Sequence, residues 1–189
     1  FPGGCNLGIR AALEQGADYV LLVNSDAVLA PDAVGRLIAR MEEDAAAGIA
    51  APLLLSREEP GVVASAGIRY SRRTGRMRQL GAGLPVGRVA SLEAGADAVS
   101  GCVMMIRREV LERIGLLDEA YFFSFEDIDF CLRAADAGYR PVCVAGAVAY
   151  HEGGRTIGRR SARRVYFATR NHLRLQARAG TARGRRLRE

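Results

Sequence analysis

The chain is 189 residues long, 49% hydrophobic and 25% charged, a balance that supports one buried core and excludes an intrinsically disordered chain. No apolar run approaches the roughly 18 residues of a membrane span, and no charged-then-apolar leader is seen. Net charge is +6, but residues 1–151 hold 15 arginines against 19 acidic side chains and residues 152–189 hold 12 against 2. The basic excess therefore belongs to the tail, and no nucleic-acid partner is expected for the body. Four scattered cysteines without a CxxC pair read as reduced core residues of a cytoplasmic protein.

The opening FPGGCNLGIR runs into a helix predicted over residues 6–15. A doubly wound sheet normally has strands before such a helix, so the chain is expected to lack its amino-terminal unit. YVLLV, residues 19–23, is apolar without a 3.6 period and predicts a strand buried on both faces in a parallel sheet. NSD follows it, and Pro31 with the spacing Val34, Leu37, Ile38 and Met41 predicts an amphipathic helix over 32–45. IAAPLLL predicts a strand at 49–55. Short β-prone pieces around RRTG, between residues 62 and 88, predict an exposed hairpin. AVSGCVMMI, residues 98–106, predicts a buried strand whose Gly101 leaves room for something to approach the backbone. RREVLERIG follows as a short helix closed by Gly115. A second helix is predicted over 125–136, ended by Gly138, with a strand at 141–145 in an extended run reaching Tyr150. From Gly158 the tail is a basic helix candidate.

Three places hold residues able to carry chemistry. Asn24 and Asp26 stand at the carboxyl end of a predicted strand, where ligands bind in open α/β sheets, although Asn-Ser-Asp is also an ordinary turn. Glu126, Asp127 and Asp129 open a helix, where capping alone accounts for carboxylates. Tyr121, Phe122, Phe123 and Phe125 precede them, and a carboxylate held between backbone amides and an apolar wall stays ionised yet desolvated enough to act as a base. His151 ends the last extended run. A lone histidine there is as a rule structural, but with Asp26 it forms an imidazole–carboxylate pair suited to Mg²⁺ or Mn²⁺ bridging a diphosphate.

The block SGCVMMIRREVLERIGLLDEAYFFSFEDIDFCLRAADAGYRPVCVAGAVAYHEGG, together with NSD after an apolar strand, resembles the inverting family 2 glycosyltransferases of the GT-A fold, most nearly their bacterial rhamnosyltransferase-like members. The order DE, aromatic run, EDxD, LR, AG and terminal His carries the resemblance, which extends from GGCNLGIR to the RN of YFATRN. It implies an α/β, Rossmann-like, mostly parallel sheet with helices on both faces, truncated at its amino terminus. Residues 1–158 would form the transferase domain and 159–189 a basic helical tail.

On matching positions the resemblance makes Asp127 the catalytic base with Glu126 beside it, and Asp26 and His151 the ligands of Mg²⁺ or Mn²⁺. Asn24, in an NxD variant of the family's DxD motif, would join Asp26, Gly4, Asn6 and Arg10 in holding the nucleotide sugar. Arg155 would add a phosphate contact. Asp118 and Glu119 match the DE pair before the acceptor-facing aromatic loop, with Asp129 also on the acceptor side; loop structure is their plain alternative. The implied reaction moves a sugar, rhamnose by preference, from a nucleotide-diphosphate donor to a glycan or lipid-linked acceptor in cell-surface polysaccharide synthesis.

In the tail, Val165, Tyr166, Thr169, Leu173 and Gln176 share one loosely apolar face among arginines. A basic amphipathic helix of this kind suits peripheral contact with the inner face of the cell membrane, or else packs on the core. Two other classes compete. A nucleotidyltransferase also sets carboxylates and Mg²⁺ beside a nucleoside phosphate, but needs neither EDxD nor His151. A non-catalytic sugar-nucleotide or nucleic-acid binding module would rely on the arginine tail, yet the aromatics lie upstream of it instead of alternating with its arginines.

Overall fold

The computed structural model describes residues 1–89, 95–151 and 161–179. Helix α1 (Pro2–Glu14) starts four residues before its predicted beginning, with Pro2 in the first turn, where a missing N–H costs nothing. Strand β1 (Tyr19–Val23) lies where YVLLV predicted it. A short strand, β2 (Ala27–Leu29), follows NSD and has no counterpart in the predicted elements. The order continues through α2 (Ala33–Glu42), β3 (Ala47–Ser56), β4 (Val63–Ser65), β5 (Ile68–Tyr70) and β6 (Met77–Gln79). It closes with β7 (Val103–Arg107), α3 (Arg108–Ile114), α4 (Glu126–Asp136), β8 (Arg140–His151) and α5 (Ala162–Ala179).

The main sheet runs β1-β7-β3-β8-β2, with β4 added on β3. It is mixed: β3 and β8 are parallel over most of their length, while β1–β7, β7–β3 and β8–β2 are antiparallel. This corrects the reading of YVLLV as a central parallel strand, because β1 stands at the edge of the described sheet beside an antiparallel neighbour. Cover from both faces explains why it is apolar throughout. Val20 and Leu22 enter the larger core with Ile9, Met104 and Phe130. Tyr19 and Leu21 pack on the other face against the cluster of Leu37, Met41 and Met105.

The same alternation sorts the helices. Ile9 of α1, Val110 of α3, Phe130 of α4 and Leu175 of α5 share one cluster, and Leu37 and Met41 of α2 belong to the other. The predicted hairpin is present as β5–β6. Its turn closes through Gly75 N–H donating to Ser71 O at 2.7 Å. That turn rests on α5, with His172 Nε2 2.7 Å from Gly75 O.

Helix α4, which carries the acidic cluster, is tied down by Arg133. Its guanidinium donates to Ile114 O and Leu116 O beyond α3 at 2.9 and 2.8 Å, and to Asp129 Oδ2 at 2.9 Å. Asp129 is only 1% exposed, so loss of Arg133 strips a buried carboxylate of a main counter-charge. Breaking a buried pair from one side costs about 3–5 kcal/mol. Arg133→Leu is expected to lower unfolding stability by that order in urea denaturation; an unchanged midpoint would show that α4 does not need this tie.

Candidate active site

Register brings the first two candidates together. In the β2–β8 ladder Ala27 lies opposite His151, so Asp26, one residue before β2, arrives beside the imidazole, with Oδ1 3.3 Å from Nε2. The segment reaches β2 through a tight turn. Asn24 N–H donates to Cys102 O at 2.8 Å, and Ala27 N–H to Asn24 O at 3.0 Å. Asn24 Oδ1 is buried with no hydrogen-bond partner among the described residues, an exception to the rule that buried polar atoms are paired.

The second group is set by strained backbone. Phe122, Ser124 and Phe125 all have positive φ, at 57°, 69° and 76°, a region costing bulky residues about 1–3 kcal/mol each. This bent approach delivers Glu126 and Asp127 at the first turn of α4. Asp127 Oδ2 accepts from Gly101 N–H at 2.9 Å and Oδ1 from Ile128 N–H at 2.8 Å. The predicted close approach at Gly101 is this carboxylate: a Cβ on Gly101 would stand 3.0 Å from Asp127 Cβ. Glu126 is 7% exposed, and its Oε2 has no hydrogen-bond partner among the described residues.

The two carboxyls are tuned apart. Burial, reinforced by the neighbouring Asp127 charge, pushes Glu126 up to about 7. Burial raises Asp127 as well, but the N–H groups of Gly101 and Ile128 pull against it. Burial disfavours charge on both, and the N–H groups of Gly101 and Ile128 favour the anion at Asp127 over one on Glu126, whose Oε2 lacks such a donor among the described residues.

Both groups face one cavity of about 730 Å³, lined by Asn24, Asp26, Gly101, Glu126, Asp127 and His151. Phe122 and Phe123 border it, and so do Arg163 and Arg164 of α5. Those two arginines were not anticipated as site residues. Reading the tail as one basic run hid them, since nothing in local spacing marks which arginine folds back over a cavity. Among the described residues no three His, Cys, Asp or Glu side chains form a metal cage. Asp26, His151 and the unpartnered Asn24 oxygen nevertheless fit a divalent cation that takes its other positions from phosphate oxygens and water.

The remaining candidates lie elsewhere. Asn6 is buried and clamps the chain beyond α3: Nδ2 donates to Leu117 O and Glu119 Oε1, both at 2.9 Å, and Oδ1 accepts from Leu117 N–H at 3.1 Å. Gly4 and Arg10 are exposed on the same helix, and none of the three lines the cavity. Asp118 accepts from Ala120 N–H and from Arg174 and Arg178 of α5. Asp129 binds Tyr121 Oη–H and Arg133. Asp118, Glu119 and Asp129 thus act as ties in the fold around the aromatic loop. Arg155 lies outside the described residues.

A family model described as glycosyltransferase like family 2 matches residues 2–176. The chain belongs to the family 2 glycosyltransferases. Over 135 residues it is 31% identical to the low-salt glycan biosynthesis hexosyltransferase Agl10 of Haloferax volcanii, covering 71% of this chain and 42% of that protein. It is 24% identical to the dTDP-rhamnosyl transferase RfbF of Shigella flexneri, covering 70% of this chain and 42% of the relative. With the N-acetylglucosaminyl-diphospho-decaprenol L-rhamnosyltransferase of Mycobacterium tuberculosis identity is 27%, over 84% of this chain and 60% of the relative. The chain thus spans about half the length of the curated relatives it matches. A crystal structure of GalNAc-T7 with UDP, GalNAc and Mn²⁺ superposes with a TM-score of 0.54 at 14% identity, covering 77% of this chain and 30% of that one. This likeness identifies the fold as GT-A.

The buried Glu126 has a consequence for pH dependence. A carboxyl raised from 4.5 to about 7 on folding holds a proton in the native state that the unfolded chain has released. Its stabilisation is complete below about pH 4.5 and is lost as pH rises through about 7. Wild-type stability minus that of Glu126→Gln is expected to fall between pH 5 and pH 8 in urea denaturation. Parallel curves over that interval would place the raised group elsewhere.

Proposed function

We propose that this family 2 domain transfers a sugar, with inversion, from a nucleotide-diphosphate donor to an acceptor hydroxyl at the cavity between Asp26, His151 and Asp127. The observation that carries the reading is the convergence of the Asp26–His151 pair at 3.3 Å and the backbone-anchored Asp127 on one cavity. Rhamnose is the favoured sugar, on the strength of two relatives named as rhamnosyltransferases. One of those names also supports a lipid-linked acceptor, and we assign the transfer to cell-surface polysaccharide synthesis.

Asp127 accepts the proton of the acceptor hydroxyl as that oxygen attacks the anomeric carbon. The bond from that carbon to the diphosphate oxygen breaks on the opposite face, and the nucleoside diphosphate leaves. One displacement inverts the configuration, through a transition state of the oxocarbenium type. Gly101 and Ile128 N–H groups hold the base in position and stabilise its charged form before the proton arrives. Glu126, neutral for part of the time, spares Asp127 a second adjacent charge. Asp26 and His151 would hold Mg²⁺ or Mn²⁺, which would supply charge neutralisation for the departing diphosphate. Arg163 over the Phe122 ring at 5.6 Å, with Arg164 beside it at the rim, suits an acceptor that carries both an anionic group and apolar surface.

No helix among the described residues is long and apolar enough to cross a membrane. The reading includes peripheral contact with the cytoplasmic leaflet through Val165, Tyr166 and Leu173, which are exposed on α5 among arginines. The full chain is then expected to sediment with vesicles containing anionic lipid and to be released by Leu173→Glu; wild type left in the supernatant removes the membrane contact.

The decisive assay offers a panel of sugar nucleotides with and without Mn²⁺ or Mg²⁺ and compares wild type with Asp127→Asn. Metal-dependent transfer is expected, with kcat reduced about 10²–10⁴-fold by the substitution and nucleotide affinity kept. Undiminished turnover in Asp127→Asn moves the base to Glu126. Absence of both turnover and nucleotide binding in wild type favours a non-catalytic module.

A further inference from the structure

Asn171 of α5 is 0% exposed, a burial that a polar side chain tolerates only when its hydrogen bonds are made. Its Nδ2 donates to three backbone carbonyls of one loop: Tyr121 O and Phe123 O at 2.7 Å and Ser124 O at 2.9 Å. Two N–H bonds serve three acceptors, so at least one is shared. Its Oδ1 accepts from Arg170 at 3.0 Å, which fixes the orientation of the amide. These carbonyls belong to the segment in which Phe122, Ser124 and Phe125 hold positive φ, immediately before Glu126 and Asp127.

We infer that Asn171 is the positioning residue of the transfer site: its amide holds residues 121–125 in the strained path that delivers the Glu126–Asp127 pair to the cavity. Other groups on α5 act in the same sense. The His172 ring stacks on Phe125 at 5.4 Å between centroids, Phe167 stacks on Phe122 at 5.0 Å, and Arg174 and Arg178 grip Asp118 at the start of the loop. Among the described residues only Asn171 has a side chain that bonds the loop backbone at three points. An amide suits the task because its NH₂ donates to the carbonyls while its oxygen, engaged by Arg170, is turned away from them. The catalytic consequence rests on the reading of this cavity as the transfer site; the holding of the loop does not.

The test compares Asn171→Leu with Leu175→Ala, one turn along the same buried face of α5 and without any hydrogen bond to lose. In the full chain, Asn171→Leu is expected to lower kcat for transfer at least tenfold and to leave the affinity for the nucleoside diphosphate with Mn²⁺ unchanged. Amide hydrogen exchange in residues 121–127 is expected to quicken at least tenfold, with peptides from β3 and β8 unaffected. Leu175→Ala should change kcat less than twofold. Should Asn171→Leu not fold, Asn171→Ala carries the same expectations. Equal effects of the Asn171 and Leu175 variants on kcat and loop exchange overturn the inference, as does normal loop exchange in the Asn171 variant. Quickened loop exchange in the Asn171 variant, with no sugar transfer by the wild-type chain, overturns the reading of the site alone.

Discussion

The parallel ladder between β3 and β8 is the constraint from which the site follows. Strand β3 is buried at nine of its ten positions, with β7 on one side and β8 on the other, so its register has no freedom to slip without turning apolar side chains outward. The register shifts between Ala47 and Ile49 and again between Pro52 and Leu53, where the partner in β8 moves from Val144 to Val148. Proline has no N–H to donate, and a bulge is where a sheet interior accepts it. Beyond the bulge the strands run level to Ser56 opposite His151. The position of the histidine is thus fixed by a ladder that begins at the other end of the sheet, and β2 needs only three residues to bring Asp26 to it.

The carboxylates on the other side of the cavity depend on a different kind of support. Regular strands hold Asp26 and His151, whereas Glu126 and Asp127 follow a segment with three non-glycine residues at positive φ. Such a path persists only where surrounding contacts outweigh its cost. Those contacts come from α1, through Asn6, and from α5, through Asn171 and the arginines that reach Asp118. Residues far from the cavity thereby acquire a stake in its geometry.

Much of this was legible in the sequence, and the failures have physical causes. The strands YVLLV and IAAPLLL, the helix ended by Gly115 and the acidic start of α4 follow from composition and period alone. Gly101 was legible because a glycine within an apolar strand asks for a close neighbour, and Asp127 supplies it. The neighbours of β1 were not, since an edge strand covered by helices on both faces has the same apolar run as a central one. In the tail, apolar periodicity selected Val165, Tyr166 and Leu173, yet all three are exposed, while Asn171 and Leu175 on roughly the opposite face are buried. A buried residue chosen for its amide drops out of a hydrophobic pattern. Of the two readings of the apolar face, membrane contact or packing on the core, its exposure removes the second. Family likeness placed Gly4, Asn6 and Arg10 near the nucleotide; burial shows that Asn6 serves the packing of α1.

The same geometry gives the divided charge of the chain a meaning within one molecule. The body is acidic and the tail basic, and α5 brings the two into register. Arg174 and Arg178 reach Asp118, at 3.0 and 3.1 Å, and Arg178 lies 3.4 Å from the buried Asp129. These ion pairs are partly exposed, so each alone contributes little. Their value lies in number and placement, because they converge on the loop that precedes the Glu126–Asp127 pair. Nearer the amino end of α5, Arg163 and Arg164 stand at the cavity that Asp26, Glu126 and Asp127 line. Cationic groups at the rim of a carboxylate-lined cavity lower the cost of assembling those negative charges and leave a positive entrance for an anionic substrate. One helix therefore neutralises part of the acidic body, holds the bent loop and presents charge where a phosphate-bearing substrate would enter. Among the described residues, that arrangement gives Arg163, Arg164, Arg174 and Arg178 partners or a place within the molecule itself.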